Sequence, residues 1–150
     1  MALGYDLEKA KKKTKKPLKG GSELFAIKPL SDKGIRVELT TPTGQETEHF
    51  LIIRGADSDV YTQAESDSLT KGMEAARRLG KSKKMLADAN RKLHRELVAS
   101  LVKDWSFGEE FGECSVENVC KLFIQAPQIL EQVNNVAGDR KNFFTNPSQD

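Results

Sequence analysis

The hydrophobic period of this chain changes at Gly55, and that change constrains the fold more than any other feature. Ile35, Val37 and Leu39 alternate with polar residues, as the two faces of a half-buried strand require. Beyond Gly55 the apolar residues recur at steps of three and four, which is the period of an amphipathic helix. The sequence therefore predicts an α+β fold, in which an N-terminal β-hairpin precedes a bundle of four to five helices.

The hairpin is predicted within residues 23–54. Residues 24–30 are interpreted as a first β segment, because they form a short apolar run that contains β-forming residues. Pro42, Thr43 and Gly44 supply the turn after the alternating strand. The apolar residues at positions 50–53 then complete a second strand, and the pattern leaves room for a third.

The strongest helical pattern lies in the second half of the chain. Leu93, Leu97, Leu101 and Trp105 recur every four residues, which predicts one helix that continues to Trp105. Its apolar face packs either in the core of this protein or against a partner, and the sequence pattern is compatible with both. Two more helices are predicted at residues 115–125 and 127–138.

Charge and composition divide the chain into three parts. Seven lysines between Lys9 and Lys19 repel one another, so residues 1–22 are predicted to be a flexible basic arm. Residues 23–144 are predicted to form a single domain, and residues 145–150 a frayed tail. Because the 24 basic side chains are balanced by 22 acidic ones, the domain as a whole is not expected to bind nucleic acid.

No set of residues predicts catalysis, a metal site or a cofactor. His49 and His94 have no partner at ligand spacing. Cys114 and Cys120 are separated by more residues than paired zinc ligands usually are, and the chain has no second cysteine pair. No apolar run approaches the ~18 residues of a membrane span, so a reducing cytosol is the expected location.

Several short motifs follow one another in a fixed order along this chain. A strand pair leads into a helix start, a tryptophan-containing segment leads into a capped helix, and a proline and a phenylalanine follow. The residues that carry the resemblance are Gly55, Asp57, Ser58, Trp105, Phe107, Ser115, Asn118, Pro127 and Phe143. Through these residues the chain resembles the tail assembly chaperones of long-tailed bacteriophages. Each of the residues is expected to have a structural role.

The resemblance implies a binding function without catalysis. Such a chaperone would bind the tape measure protein in the host cell cytoplasm and keep it soluble until tail tube protein replaces it. It would act in many copies, a homo-oligomer would be compatible with this role, and it would be absent from the mature virion. The partner surface is expected on the helix face with Leu93, Leu97 and Leu101, or on the helix with Ile129 and Val133.

Two other functions remain open from the sequence. The chain could be a structural virion component, such as a small tail or head-completion subunit, whose hairpin extends the sheet of a neighbour. It could instead bind nucleic acid through the basic arm, in which case binding would depend steeply on salt.

Overall fold

The structure is a computed structural model, and it describes residues 16–144. This part of the chain contains one three-stranded sheet and seven α-helices. After a 3-10 turn at Ser22–Phe25, the elements in chain order are α1 Lys28–Lys33, β1 Ile35–Thr40, β2 Glu46–Ile53, α2 Asp59–Leu79, α3 Lys83–Ala99, β3 Val102–Trp105, α4 Gly108–Phe111, α5 Val116–Gln125, α6 Pro127–Gly138 and α7 Lys141–Phe144.

The sheet is antiparallel, with β2 between β1 and β3. Ile35 pairs with Ile53, and on the other side of β2 Leu51 pairs with Trp105. The turn between β1 and β2 contains Gly44, whose φ of 90° lies in the region that glycine adopts without strain. The predicted α+β fold with an N-terminal hairpin is therefore confirmed.

Two local predictions were wrong. Residues 24–30 do not form a β segment. Residues 24 and 25 end the 3-10 turn, and residues 28–30 begin α1, where Pro29 occupies the first turn of the helix. The helix that was predicted to continue to Trp105 ends at Ala99. Residues 102–105 instead supply the third strand, because pairing with β2 satisfies their backbone groups and buries Val102 and Trp105 on the core side.

Serine side chains begin three of the long helices. Ser58 accepts a hydrogen bond from the backbone N–H of Tyr61 at the start of α2. Ser82 and Ser115 act in the same way at the starts of α3 and α5. These side chains satisfy N–H groups that have no partner inside the helix.

The core lies between the inner face of the sheet and the helices α3, α5 and α6. Leu51 and Ile53 of β2 are fully buried. They belong to one cluster with residues from the end of α3, from α5 and from α6, including Val98, Val119, Phe123, Val133 and Ala137. Because α2 adds little to this cluster, the α2–α3 hairpin projects from the core at its far end.

Only part of the predicted basic arm can be compared with the structure. Residues 16–21 form neither helix nor strand, and their side chains are exposed. Residues 1–15 of that arm, and the predicted tail at 145–150, lie outside the described residues. Among residues 16–144, no helix is both long enough and apolar enough to cross a membrane.

Candidate partner-binding surface

Helix α2 has apolar side chains that nothing in the described chain covers. It is 21 residues long, yet within it only Ala75 is buried. Leu69 is 67% exposed and Met73 is 62% exposed. Ordinary surface helices turn such side chains toward a core, so an uncovered pair on one helix face is a candidate binding surface.

Leu69 and Met73 line a groove between α2 and α3, which we call the α2–α3 groove. The groove has a volume of about 680 Å³ and is completed by Leu93 and Leu97 from α3. Gly72 lies between the two exposed side chains and brings α2 close to Leu93, since a Cβ at this position would be 3.9 Å from Leu93 Cδ1. The groove is therefore shallow, apolar and open along the hairpin.

A second groove lies on the other side of α3, and we call it the α3–α6 groove. Its volume is about 630 Å³, with Phe123, Ile124 and Leu130 on the apolar side. Arg91 and Arg95 of α3 line the opposite side. Ile124 is 63% exposed. Arg91 is ion-paired with Asp88, so Arg95 supplies the cationic edge of this apolar groove. Such a groove is suited to a partner that carries apolar and acidic side chains.

Asn90 and His94 line both grooves, so the exposed ridge of α3 separates two parallel apolar channels. Both residues are exposed. An extended apolar partner in either channel would meet hydrogen-bonding groups along this ridge.

The five residues predicted to bind a partner divide between this surface and the core. Leu93 and Leu97 line the α2–α3 groove, as a partner seam would require. Leu101 and Val133 do not belong to a surface, because they are 1% and 0% exposed and pack in the core. Ile129 is half-buried against the core, and its neighbour Leu130 lines the α3–α6 groove instead.

Sequence reasoning missed the most exposed members of the surface. The sequence pattern predicts only a modestly apolar stripe at Leu69 and Met73, and it predicts that Ile124 belongs to the buried face of the helix at residues 115–125. The periodic pattern locates an apolar stripe but not its neighbour, because covered and uncovered stripes have the same period. The low apolar content of α2 was the only available signal.

Gly55, Asp57 and Ser58, which are the first three residues of the resemblance, stabilise the start of α2. Gly55 donates its backbone N–H to the carbonyl oxygen of Ser31 at 3.0 Å. A Cβ on Gly55 would collide with the Ser31 side chain and come within 3.2 Å of Phe143. Asp57 accepts two hydrogen bonds from Arg140, while Ser58 is the N-cap.

Trp105 and Phe107 belong to an aromatic cluster at the end of β3. The indole N–H of Trp105 donates to the carbonyl oxygen of Gly112 at 3.1 Å. Phe107 packs edge-on against Trp105 and stacks on His49, with ring centroids 4.2 Å apart. The predicted position of Trp105 at a helix end was wrong, since the residue ends a strand.

The remaining motif residues order the C-terminal helices. Ser115 accepts from the backbone N–H of Asn118 at 3.2 Å, and the Asn118 side chain donates to the carbonyl oxygen of Glu113. Pro127 lies in the first turn of α6, where a missing N–H costs nothing. Phe143 is buried beside Gly55.

Both cysteine thiols have a pKa above the ordinary value. Burial raises the pKa of the Cys114 thiol to about 11, and the negative charge of Asp104 adds to the shift. Burial likewise raises the pKa of the Cys120 thiol to about 11, with Glu96 as the next cause. Across the described part of the chain, no group of three or more His, Cys, Asp or Glu side chains is placed to hold a metal ion.

Comparisons with protein-family models, with curated proteins and with solved structures find no match to this chain.

Proposed function

We propose that this protein is a non-catalytic binding protein that acts as a tail assembly chaperone of a long-tailed phage. In this role it binds the tape measure protein and keeps that long helical protein from aggregating until tail tube protein replaces it. The proposal combines the order of the sequence motifs with one structural observation. That observation is the uncovered α2–α3 groove, in which Leu69 and Met73 are both more than half exposed.

The shape and the apolar lining of the α2–α3 groove favour a helical partner over a small molecule. An amphipathic helix binds such a groove through apolar anchors spaced three, four and seven residues apart. Leu69, Met73, Leu93 and Leu97 offer apolar contacts on both sides of the channel. A methionine in such a surface adapts to different partner side chains, because its chain is unbranched and its sulfur is polarisable. A tape measure helix with repeating apolar stripes presents many slightly different segments to one such groove.

The shallow shape of the groove also supports contacts that can be replaced. Each single contact is expected to be weak, because only a narrow apolar strip is covered on either partner. Many copies along one tape measure chain would together keep its stripes covered. Tail tube subunits could then displace the copies one at a time.

The test is co-expression of the tape measure protein with this chain. We expect the wild type to raise the soluble yield of the tape measure protein and to co-purify with it. Leu69→Glu combined with Met73→Glu should abolish both effects, because two charges would then lie in the apolar channel. Both side chains are exposed in the free protein, so its thermal unfolding should change little.

Val60 provides the matched control, since it is an exposed apolar residue on the same helix outside the groove. Val60→Glu should leave the soluble yield unchanged. An equal loss with Val60→Glu, or no effect of the wild type on the yield, would contradict the proposal. Mass spectrometry of purified virions separates the chaperone from a structural tail or head-completion subunit, because only the latter remains in the finished particle.

A further inference from the structure

The turn between α2 and α3 carries a concentrated positive charge, and we call this region the hairpin tip. It contains Arg77, Arg78, Lys81, Lys83 and Lys84, with no acidic residue between positions 75 and 87. All five side chains are exposed. None of them makes an ion pair with another residue between 16 and 144. No direct ion pair within the described part of the molecule therefore neutralises their charge.

A stretch of opposite charge follows β3, and we call it the acidic segment. It contains Asp104, Glu109, Glu110, Glu113 and Glu117, with no basic residue between positions 104 and 120. These five side chains are also exposed. They too form no ion pairs with other described residues. The low net charge of the chain thus conceals two opposite poles.

The two poles lie at opposite ends of α3. The hairpin tip surrounds the start of this helix at Lys83. The acidic segment is held at its other end, where the Cys114 thiol donates to the carbonyl oxygen of Val102 and the Trp105 indole donates to that of Gly112. The 17 residues of α3 span about 25 Å at the helical rise of 1.5 Å per residue. The poles are therefore too far apart to neutralise each other within one copy.

Each pole also has an uncovered apolar side chain among its charges. Met85 is 54% exposed beside Lys83 and Lys84. Val116 is 42% exposed beside Glu117. An apolar centre within a polar rim is the usual arrangement of a protein–protein interface. The two surfaces are opposite in charge sign, and they are alike in the number of charges and in having this apolar centre.

We propose that the hairpin tip of one copy docks on the acidic segment of the next copy, so that the protein associates head to tail. Such an interface joins two different surfaces, and without ring closure it produces an open row of copies. This association requires no other partner, and it is measured on the purified protein alone. Its failure would leave the groove and the proposed function untouched.

A second copy fits the hairpin tip better than a polyanion such as nucleic acid does. The complementary acidic surface is present on the same molecule at the opposite end. A nucleic-acid surface would need neither that acidic segment nor the exposed Val116. Nucleic acid as the true occupant of the tip remains a separate outcome of the experiment.

The first measurement is sedimentation velocity of the full-length, nuclease-treated protein over a range of concentrations. We expect concentration-dependent association at about 50 mM salt and loss of association at about 500 mM salt, because salt screens exposed charges beyond a few ångströms. A protein that stays monomeric at every concentration and at low salt would overturn the proposal.

Charge reversal then tests the two surfaces. The tip variant carries Lys81→Glu, Lys83→Glu and Lys84→Glu, and the segment variant carries Glu109→Lys, Glu110→Lys and Glu113→Lys. Each variant alone should weaken association roughly tenfold or more, because like charges then face each other across the contact. An equimolar mixture should associate again, and so should a chain that carries all six substitutions. No rescue in the mixture and in the combined chain would overturn the proposal.

A control variant has the same change in net charge as the tip variant, but its substitutions lie at other positions. Lys16→Glu, Lys19→Glu and Lys121→Glu are exposed substitutions outside both poles, and they should leave the association intact. Circular dichroism and thermal unfolding verify that each variant is folded. If the wild type retains nucleic acid, the tip variant releases it, and the nuclease-treated wild type is monomeric, then the tip binds nucleic acid and the head-to-tail contact is refuted.

Discussion

Arg140 joins the C-terminal end of the described chain to the start of α2 by donating two hydrogen bonds to the carboxylate of Asp57. The guanidinium Nε is 2.7 Å from Oδ2, and Nη2 is 2.9 Å from Oδ1. Paired bonds of this kind fix orientation as well as distance. They lie next to Gly55 and Ser58, so one connection stabilises the junction between the sheet and the helical hairpin.

This pair predicts an acid-dependent stability. The hydrogen bonds from Arg140 hold the pKa of Asp57 below its usual range, although partial desolvation acts in the opposite direction. A carboxyl whose pKa is lower in the folded state stabilises the fold above its unfolded pKa of about 4, and this contribution disappears as the pH falls through the folded pKa. Asp57→Asn should therefore lower the melting temperature at pH 7 and have almost no effect near pH 2.5.

Arg140→Gln is the matched partner of that substitution. It should reproduce the melting temperature and the pH profile of Asp57→Asn, and the double variant should be no less stable than either single variant. Melting temperatures that simply add in the double variant would show that the two residues act independently.

Substitutions at Gly55 and Ser31 are expected to have different effects on the stability of the fold. Gly55→Ala should lower the free energy of unfolding by about 1–3 kcal/mol, because the new methyl group overpacks the junction. The Cβ would be 3.0 Å from Ser31 Cβ and would collide with the Ser31 hydroxyl. That hydroxyl is buried and has no hydrogen-bond partner among the described residues. Ser31→Ala alone should therefore be neutral or stabilising by up to about 1 kcal/mol.

Urea denaturation of the four proteins measures this relationship as a double-mutant cycle. The double variant should recover part of the stability that Gly55→Ala loses, because one of the two colliding groups is gone. A double variant whose loss equals the sum of the single effects would refute the collision as the cause.

Leu101 and Leu69 provide a comparison between a core leucine and a surface leucine. Leu101 is 1% exposed, whereas Leu69 is 67% exposed. Leu101→Ala should lower the free energy of unfolding by about 2–5 kcal/mol through the cavity it leaves. Leu69→Ala should change it by less than about 0.5 kcal/mol. Chemical denaturation compares the two directly, and similar losses in both variants would mean that Leu69 is covered in solution.

The two cysteines should resist alkylation in the folded protein. With the pKa of each thiol raised to about 11, the reactive thiolate at pH 8 is reduced by about a hundredfold or more relative to an ordinary cysteine. Iodoacetamide labelling followed by mass spectrometry should show slow modification at pH 8 and fast modification in denaturant. Rapid labelling of either thiol in the folded protein would show that it is more accessible than its half-buried position implies.

Much of the fold follows from local patterns in the sequence. The alternation at Ile35, Val37 and Leu39 predicts β1, and the turn at Gly44 predicts its pairing with β2. Ser115 and Pro127 mark the starts of α5 and α6. These features depend on neighbours within a few residues, where sterics and hydrogen bonding are nearly independent of the rest of the molecule.

The candidate surface was less predictable. Leu93, Leu97 and Leu101 share one periodic stripe, yet the first two line a groove and the third lies in the core. The stripe appears continuous in sequence, but the helix ends at Ala99 and the chain turns into β3. Leu69 and Met73 have the spacing of a buried face but lack a covering element.

The sequence by itself determined the features that local chemistry controls, which are the hairpin, the helix starts and the separation of basic and acidic residues along the chain. Only the tertiary structure decided that residues 102–105 form a strand and that α2 is left partly uncovered. The physical reason is that strand pairing and burial depend on residues about 50 positions apart, as in the pairing of Leu51 with Trp105. A period along the chain specifies which side chains share a face, and only the packed molecule specifies what that face contacts.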